Sequence, residues 1–302
     1  MIEPWVLITV FGAFFQNLRS ALQKKAASQL TTLGASYTRF LFAFPFAIIY
    51  LFFLNRYLGH AVPTPSTEFF FYCVAGGIAQ IVFTFLLISL FARRNFAVGT
   101  VFSKTELVQV AILGYFILGE PLTIYELLAL LVTTFGVILL AVKDTKDSFG
   151  GIFKSFSDRA TIWGLGSGAA LGLSVVLYRA AALSLEYDGS FLMSAAFTLV
   201  VALTVQSICL GVIIHVREKE TIPLMFFYWK KSVAVGVAGI IASIAWFTAF
   251  TMHSAAQVRA VGQIELVFTF LASILIFKEK STVLEVFGMI LIVAGIIFMI
   301  AS

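Results

Sequence analysis

Two stretches of this chain set a carboxylate inside a long apolar run: Lys104-Thr105-Glu106-Leu107-Val108 and Gln263-Ile264-Glu265-Leu266-Val267. An ionised group held there, away from bulk water, costs about 3 kcal/mol even on the insertion scales that charge least for it. It therefore needs a cation, a proton or a ligand beside it. Glu106 and Glu265 are candidates to exchange a proton or to bind a cationic group, since a carboxyl in apolar surroundings protonates more readily than one in water. Lys104, Arg259 and Arg19 lie within apolar runs too. Their chemistry is recognition of a carboxylate or phosphate, for which arginine offers a planar fork of donors. Gln109 and Gln263 add amide donors and acceptors, and Trp246 adds an aromatic wall. Each of these residues also has a plainer use, which is to fasten one helix to the next by hydrogen bonds. Arg39 and Arg179 stand nearer the ends of their runs, where a long side chain reaches the interface by snorkelling.

The elements that carry these residues follow from composition. The chain has 302 residues, of which 61% are hydrophobic and 12% charged, whereas soluble domains carry about 25% charged residues. Lipid must be its main solvent. Ten apolar segments are long enough to cross a bilayer: 5–26, 33–54, 69–91, 97–118, 122–142, 161–185, 190–214, 232–252, 256–277 and 282–301. In lipid only a helix satisfies its own backbone at this length, so the fold class expected is an all-α polytopic membrane protein. On a straight helix Glu106 shares a face with Ser103 and Gln109, and Arg259 with Gln263, while Lys104 and Glu265 point elsewhere. The N-terminus lacks the basic segment and cleavage site of a secretory signal, so the first run is read as a retained span. Cys73, Cys209, His60, His215 and His253 are scattered, so no metal and no cofactor is expected. Nor is there a nucleotide-binding motif, an HExxH or a Ser/His pair within the spans, which argues against an enzyme. The net charge of +5 reads as basic loops at a membrane surface rather than a nucleic-acid partner.

Glu106 and Glu265 stand 159 residues apart, and the same shift pairs Ala97 with Ala256, Leu107 with Leu266, Val108 with Val267, Glu120 with Glu279, Thr123 with Thr282, Glu126 with Glu285 and Gly136 with Gly295. A weaker echo, shifted by 160, pairs Arg19 with Arg179. The chain thus divides into a first five-helix repeat over 1–142, a charged linker over 143–160 and a second repeat over 161–302. An odd number of spans per repeat makes the second copy enter the membrane from the opposite side. The expected architecture is two inverted repeats around a central cavity, with a binding site near the midplane. Fourteen Lys and Arg residues, among them Arg93, Arg94, Lys230 and Lys231, fall in the odd-numbered loops, against Arg56 alone in the even ones. Positive residues stay inside, so both termini are expected outside, in a bacterial cytoplasmic (inner) membrane.

The end of each half carries a more specific pattern: the mid-span Glu, fourteen residues on a second Glu in Leu118-Gly119-Glu120 or Phe277-Lys278-Glu279, then a Thr and a last span with a late Gly. In this the chain resembles the drug/metabolite transporter superfamily, of the type with two EamA domains, over nearly its whole length. Members typically carry Pro after the mid-span Glu, where this chain has Leu107 and Leu266. The resemblance implies ten helices around a cavity and export or exchange of small metabolites. The expected function is a secondary transporter that exports a small polar molecule such as an amino acid, with protons as a candidate coupling ion and the bilayer as its other partner. Export of lipophilic cations or drugs is the alternative, with aromatic rings and a buried acid holding the cation. Gly164, Gly168 and Gly172 in span six form two overlapping GxxxG motifs, suited to close packing inside the chain. Glu120 and Glu279 are read as carboxylates that fix the turn before each last span.

Overall fold

A computed structural model describes residues 3–91, 102–142, 159–185, 187, 189–275, 278 and 281–302. All regular structure among these is helical. In chain order the helices are α1 (Pro4–Ala26), α2 (Thr32–Leu41), α3 (Phe44–Arg56), α4 (Thr67–Phe91), α5 (Glu106–Leu118), α6 (Ile124–Val142), α7 (Arg159–Leu183), α8 (Phe191–Arg217), α9 (Thr221–Phe227), α10 (Trp229–Met252), α11 (Ala255–Gly262), α12 (Ile264–Leu275) and α13 (Val283–Ala301). Among the described residues seven helical segments are long and apolar enough to cross a membrane, and two shorter apolar helices cover Glu106–Leu118 and Ile124–Leu140. Large apolar side chains such as Ile49, Phe52 and Phe116 lie exposed. Such outward faces suit lipid and would be a liability in water.

Local chemistry sets the boundaries. Thr31 caps α2 by accepting from Gly34 N at 3.0 Å, and Ser190 caps α8 by accepting from Leu192 N at 3.2 Å. Gly119 ends α5 with φ at 65°, a left-handed turn that glycine adopts without a Cβ clash. The carboxylates that cap α6 and α13 are Glu126 and Glu285. Glu126 accepts from Thr123 N at 2.6 Å and Glu285 from Thr282 N at 2.5 Å, while each threonine hydroxyl accepts the return bond. This matched pair lies six residues beyond Glu120 and Glu279, to which the sequence reading gave the role, and Glu279 itself is outside the described residues. Arg93, Arg94 and the linker residues 143–158, with Lys143, Lys146 and Lys154, are likewise outside them.

Three of the expected spans are interrupted. Segment 33–54 divides into α2 and α3 at Phe42–Ala43. Pro45, in the first turn of α3, has no N–H to donate back to Leu41, so the ladder must break there. Segment 97–118 yields α5 only from Glu106, and its residues 97–101 are outside the described set. Segment 256–277 divides into α11 and α12 at Gln263.

The chain forms two compact units, and each draws on both halves of the sequence. Unit 1 comprises Ala79–Val176 and Ser254–Ser302; unit 2 comprises Glu3–Ile78 and Leu177–His253. Helices α4 and α7 contribute to both. In unit 1, α6 and α13 pack backbone to backbone. A Cβ on Gly136 would sit 2.7 Å from Gly288 O and 2.9 Å from Ile292 N, and a Cβ on Gly295 would sit 3.0 Å from Ala129 O and 2.9 Å from Thr133 N. The 159-residue shift carries Gly136 to Gly295, Ala129 to Gly288 and Thr133 to Ile292, so the two sets of contacts are exchanges of one another. In unit 2, α1 packs on α10, with Gly12 of α1 closest to Ala245. A buried cluster of Phe69, Cys73, Tyr178, Ala181, Leu185 and Ala202 joins α4, α7 and α8 in the same unit.

Candidate functional site

The residues singled out by type fall into both units. Lys104, Glu106, Gln109, Arg259, Gln263 and Glu265 belong to unit 1; Arg19 and Trp246 belong to unit 2. In unit 1 both mid-span glutamates sit in the first turn of a helix that begins at a break. The breaks have nearly the same backbone geometry: Thr105 at φ −68°, ψ −1° and Gln263 at φ −64°, ψ −6°. Each is a tight turn closed by i→i−3 bonds. Thr105 N donates to Phe102 O at 3.2 Å and Val108 N to Thr105 O at 3.1 Å; Gln263 N donates to Ala260 O at 3.2 Å and Leu266 N to Gln263 O at 2.9 Å. No proline is involved. At the first break the Thr105 hydroxyl donates to Phe102 O at 2.7 Å and accepts from Gln109 Nε2 at 2.9 Å, so a side chain takes up the carbonyl that the helix releases.

Small residues bring a neighbour close enough to hold this turn. A Cβ on Gly168 of α7 would lie 2.9 Å from Ser103 O and 3.4 Å from Glu106 N, and one on Gly172 would lie 3.1 Å from Val110 Cγ2. Two of the three glycines of the GxxxG run thus pack on the start of α5 within the same chain. The cleft beside this contact, about 500 Å³, is lined by Gln109, Ile112, Leu113, Leu165, Gly166 and Ala169.

Glu106 forms an ion pair with Arg259 of α11, whose Nη2 donates to Oε1. Both side chains are buried, at 5% and 8% exposure. The helix ends favour each charge: Glu106 lies at the N-terminus of α5 and Arg259 in the last turn of α11. Glu265, half-buried at the start of α12, acts on the same guanidinium through space. One arginine therefore serves two carboxylates. On a straight helix Arg259 and Glu265 point apart; the break at Gln263 frees them from that constraint. Lys104 is half-buried in the turn ahead of Glu106. Gln109 Oε1 and Gln263 Oε1 are buried and accept no hydrogen bond among the described residues. Buried acceptors in that condition are ready to meet an N–H donor.

In unit 2, Trp246 is buried on α10 and stacks on Phe250 with ring centres 5.6 Å apart. Arg19 of α1 is half-buried, its Cδ beside Gly239 of α10. Arg179 donates from Nη1 to the carbonyl of Phe250, in the last turn of α10, where a cation is favoured by the helix dipole. It is thus a helix-end partner rather than a snorkelling group. Arg39 lies with its guanidinium carbon 4.2 Å from the centre of the Phe40 ring.

Two functional candidates were not singled out by sequence reasoning. Glu126, besides capping α6, accepts from Gln257 Nε2 of α11, and Gln257 in turn is bonded to Ser254. It ties the start of α6 to the helix that carries Arg259. Its signal in the sequence was the Thr-x-x-Glu repeated at 123–126 and 282–285. Thr105 is the other, and a lone threonine in an apolar run gives no such signal.

No curated protein matches the sequence. The crystal structure of another protein is similar over 99% of this chain and 96% of its own, with a TM-score of 0.70 at 14% sequence identity, a likeness of fold. The EamA-like transporter family matches twice, over residues 3–142 and 158–301. With nearly the whole length matched in two copies, this chain belongs to the EamA-like transporter family, within the drug/metabolite transporter superfamily, and is a multi-pass membrane transporter.

Proposed function

We propose that the protein exports a small polar metabolite, such as an amino acid, by alternating access. It crosses the membrane ten times as two inverted five-helix repeats, 1–142 and 161–302, joined by a cytoplasmic linker over 143–160, with both termini outside in a bacterial cytoplasmic membrane. The observation that carries the reading is the break of a helix beside each mid-span glutamate, at positions that correspond to within one residue under the 159-residue shift. Discontinuous helices in corresponding positions of two repeats are where secondary transporters keep their binding sites. The exchanged contacts of Gly136 and Gly295 are what a two-fold relation between copies produces, and so favour the inverted repeat.

The substrate's ammonium would meet acceptors in unit 1: Glu265, Gln109 Oε1 and Gln263 Oε1. Glu106 is ion-paired with Arg259, and the proton is assigned to Glu265. Arg259 links them: a proton or a cationic group arriving at Glu265 removes one of the two carboxylates that compete for the guanidinium and tightens its hold on Glu106. The i→i−3 turns at Thr105 and Gln263 are the hinges at which such a change would turn into motion. A lipophilic cation finds less here, because Arg259 and Lys104 add positive charge beside the same acids.

Transport by purified protein in liposomes, with a panel of radiolabelled amino acids, tests the proposal. At least one amino acid is expected to be moved, faster with an imposed pH gradient. Glu265→Gln should abolish the gradient effect while leaving exchange of labelled for unlabelled substrate across the membrane. If neither Glu265→Gln nor Glu106→Gln alters transport or its pH dependence, the acids are structural and the proposed site fails.

A further inference from the structure

One end of unit 2 gathers basic residues from two loops around the mouth of an apolar groove. Helices α1 and α10 pack antiparallel: Gly12 meets Ala245, and further along α1 the stem of Arg19 meets Gly239. The same register carries Lys24 and Lys25, in the last turn of α1, to the start of α10. There Lys231 donates from Nζ to Gln29 Oε1 at 2.5 Å. The Thr31 hydroxyl donates to the carboxylate of Glu218, so the chain leaving α8 reaches this end too. Lys24, Lys25, Arg217, Lys219, Lys230 and Lys231 thus collect here, against two acids, Glu218 and Glu220. Phe226, Phe227 and Trp229 lie exposed among them. Exposed aromatic rings beside basic groups mark the level at which a membrane protein passes from acyl chains to headgroups.

The groove, about 590 Å³, runs from this end into the apolar part of the unit. One wall is a stripe of α8 in which Ile208, Val212 and Val216 recur every fourth residue, with Gly211 and His215 beside them. From Ile208 to Val216 the stripe is about 12 Å long. Tyr37 and Leu41 of α2 and Phe44 of α3 form the other wall, and Ile222 of α9 closes the end next to the basic residues. A Cβ on Gly211 would come 2.7 Å from the Tyr37 hydroxyl oxygen, so the phenol reaches across the groove to the bare backbone of α8. That hydroxyl makes no hydrogen bond among the described residues. It stands level with Gly211, about 9 Å short of Arg217 along the helix.

We propose that this groove binds an anionic phospholipid. One acyl chain lies along the α8 stripe, the Tyr37 hydroxyl donates to an ester carbonyl, and the phosphate meets His215 and the basic residues past the end of α8. Apolar wall, single donor and cations follow one another in the order in which chain, ester and phosphate follow in the lipid. Charge selects the headgroup: a zwitterionic lipid brings its own ammonium into a cluster of cations, and an anionic one does not. Clusters of Lys and Arg at the end of a span are where anionic lipids are held. The orientation proposed above places this end in the cytoplasm, but the site stands without it, and without transport.

The full chain, stripped of lipid in detergent, is mixed with equal amounts of phosphatidylglycerol and phosphatidylcholine, and its bound lipid is read by native mass spectrometry. A single phosphatidylglycerol is expected on each chain, taken in preference to phosphatidylcholine. Replacing Arg217 and Lys219 together by Gln should lower that preference about fivefold or more, since each cation near an anionic surface contributes a factor of that order. Tyr37→Phe should weaken retention of both lipids alike, because both carry the ester. Ile208→Trp fills the groove from its open side and should displace the lipid. Ile49→Trp, at a residue of α3 that is 62% exposed like Ile208 but lies outside the groove, should keep it. Equal retention of the two headgroups by the wild type overturns the anionic assignment. Lipid kept in Ile208→Trp, or lost as fully in Ile49→Trp, overturns the groove. A dimer mass without lipid would put a second copy of the chain on this face, and overturns it as well.

Discussion

Arg259 stands between two carboxylates, and the two depend on it differently. Glu106 holds it directly in a pair that is almost wholly buried, whereas Glu265 feels it through space. Removing one member of a buried pair leaves the other charged and unanswered, at a cost of about 3–5 kcal/mol, while replacing both with neutral groups of similar size is far milder. Glu106→Gln and Arg259→Gln should therefore each lower the unfolding temperature of the purified protein clearly, and the double variant should melt closer to the wild type than either single one. If the two single effects simply add in the double variant, the residues are not energetically coupled and the pair is not formed in the folded protein. Residue type was legible in the sequence: an acid in an apolar run demands a partner, and Glu106 was named on that ground. The partner was not legible, because 153 residues separate it from Arg259 and nothing in a local pattern reports a contact of that span.

At the scale of elements, breaks in helices were legible only where a backbone group is missing. Pro45 marks the division between α2 and α3 by chemistry alone. Neither turn carries a proline, the one at Thr105 carries no glycine, the one at Gln263 has Gly262 at the end of α11, and the spans around them read as continuous by hydropathy. What holds the first of them is tertiary, namely the bare backbone of Gly168 against Ser103 O. That gives a test with its own control. Gly168→Ala places a Cβ 2.9 Å from a backbone oxygen that cannot rotate away, an overpacking that costs about 1–3 kcal/mol. Gly166→Ala, two residues earlier on the same helix, meets only Leu86 Cδ1 at 3.6 Å, and should be neutral or slightly stabilising, since alanine favours a helix over glycine by up to about 1 kcal/mol. Thermal unfolding of the two variants in the same detergent should separate them by several degrees, with Gly168→Ala the lower. Equal melting would mean that α7 does not brace the turn ahead of Glu106.

For the whole molecule the question is how one linear duplication becomes two units that each mix both halves. The two family matches, 3–142 and 158–301, are each contiguous in sequence, yet α6 of the first packs on α13 of the second in unit 1, and α1 of the first on α10 of the second in unit 2. Copies related by simple translation would make head-to-tail contacts, in which a residue and its repeat equivalent meet different partners. The contacts of Gly136 and Gly295 are instead reciprocal, each glycine meeting the equivalents of the residues that the other meets. Reciprocity is the mark of a two-fold axis, and on the proposed five spans per copy that axis lies in the membrane plane. On that proposal, positions related by the shift face opposite sides of the bilayer, with the basic loops inside. Leu122, before the capping box of α6, and its equivalent Ser281, before that of α13, are suitable reporters, because neither is a capping residue. In a background with Cys73 and Cys209 replaced, Leu122→Cys should react with a membrane-impermeant maleimide added to intact cells. Ser281→Cys should react only in inverted vesicles. Labelling of both from one side would place the two copies parallel, and the alternating exposure of a shared site by two inverted halves would have no structural basis.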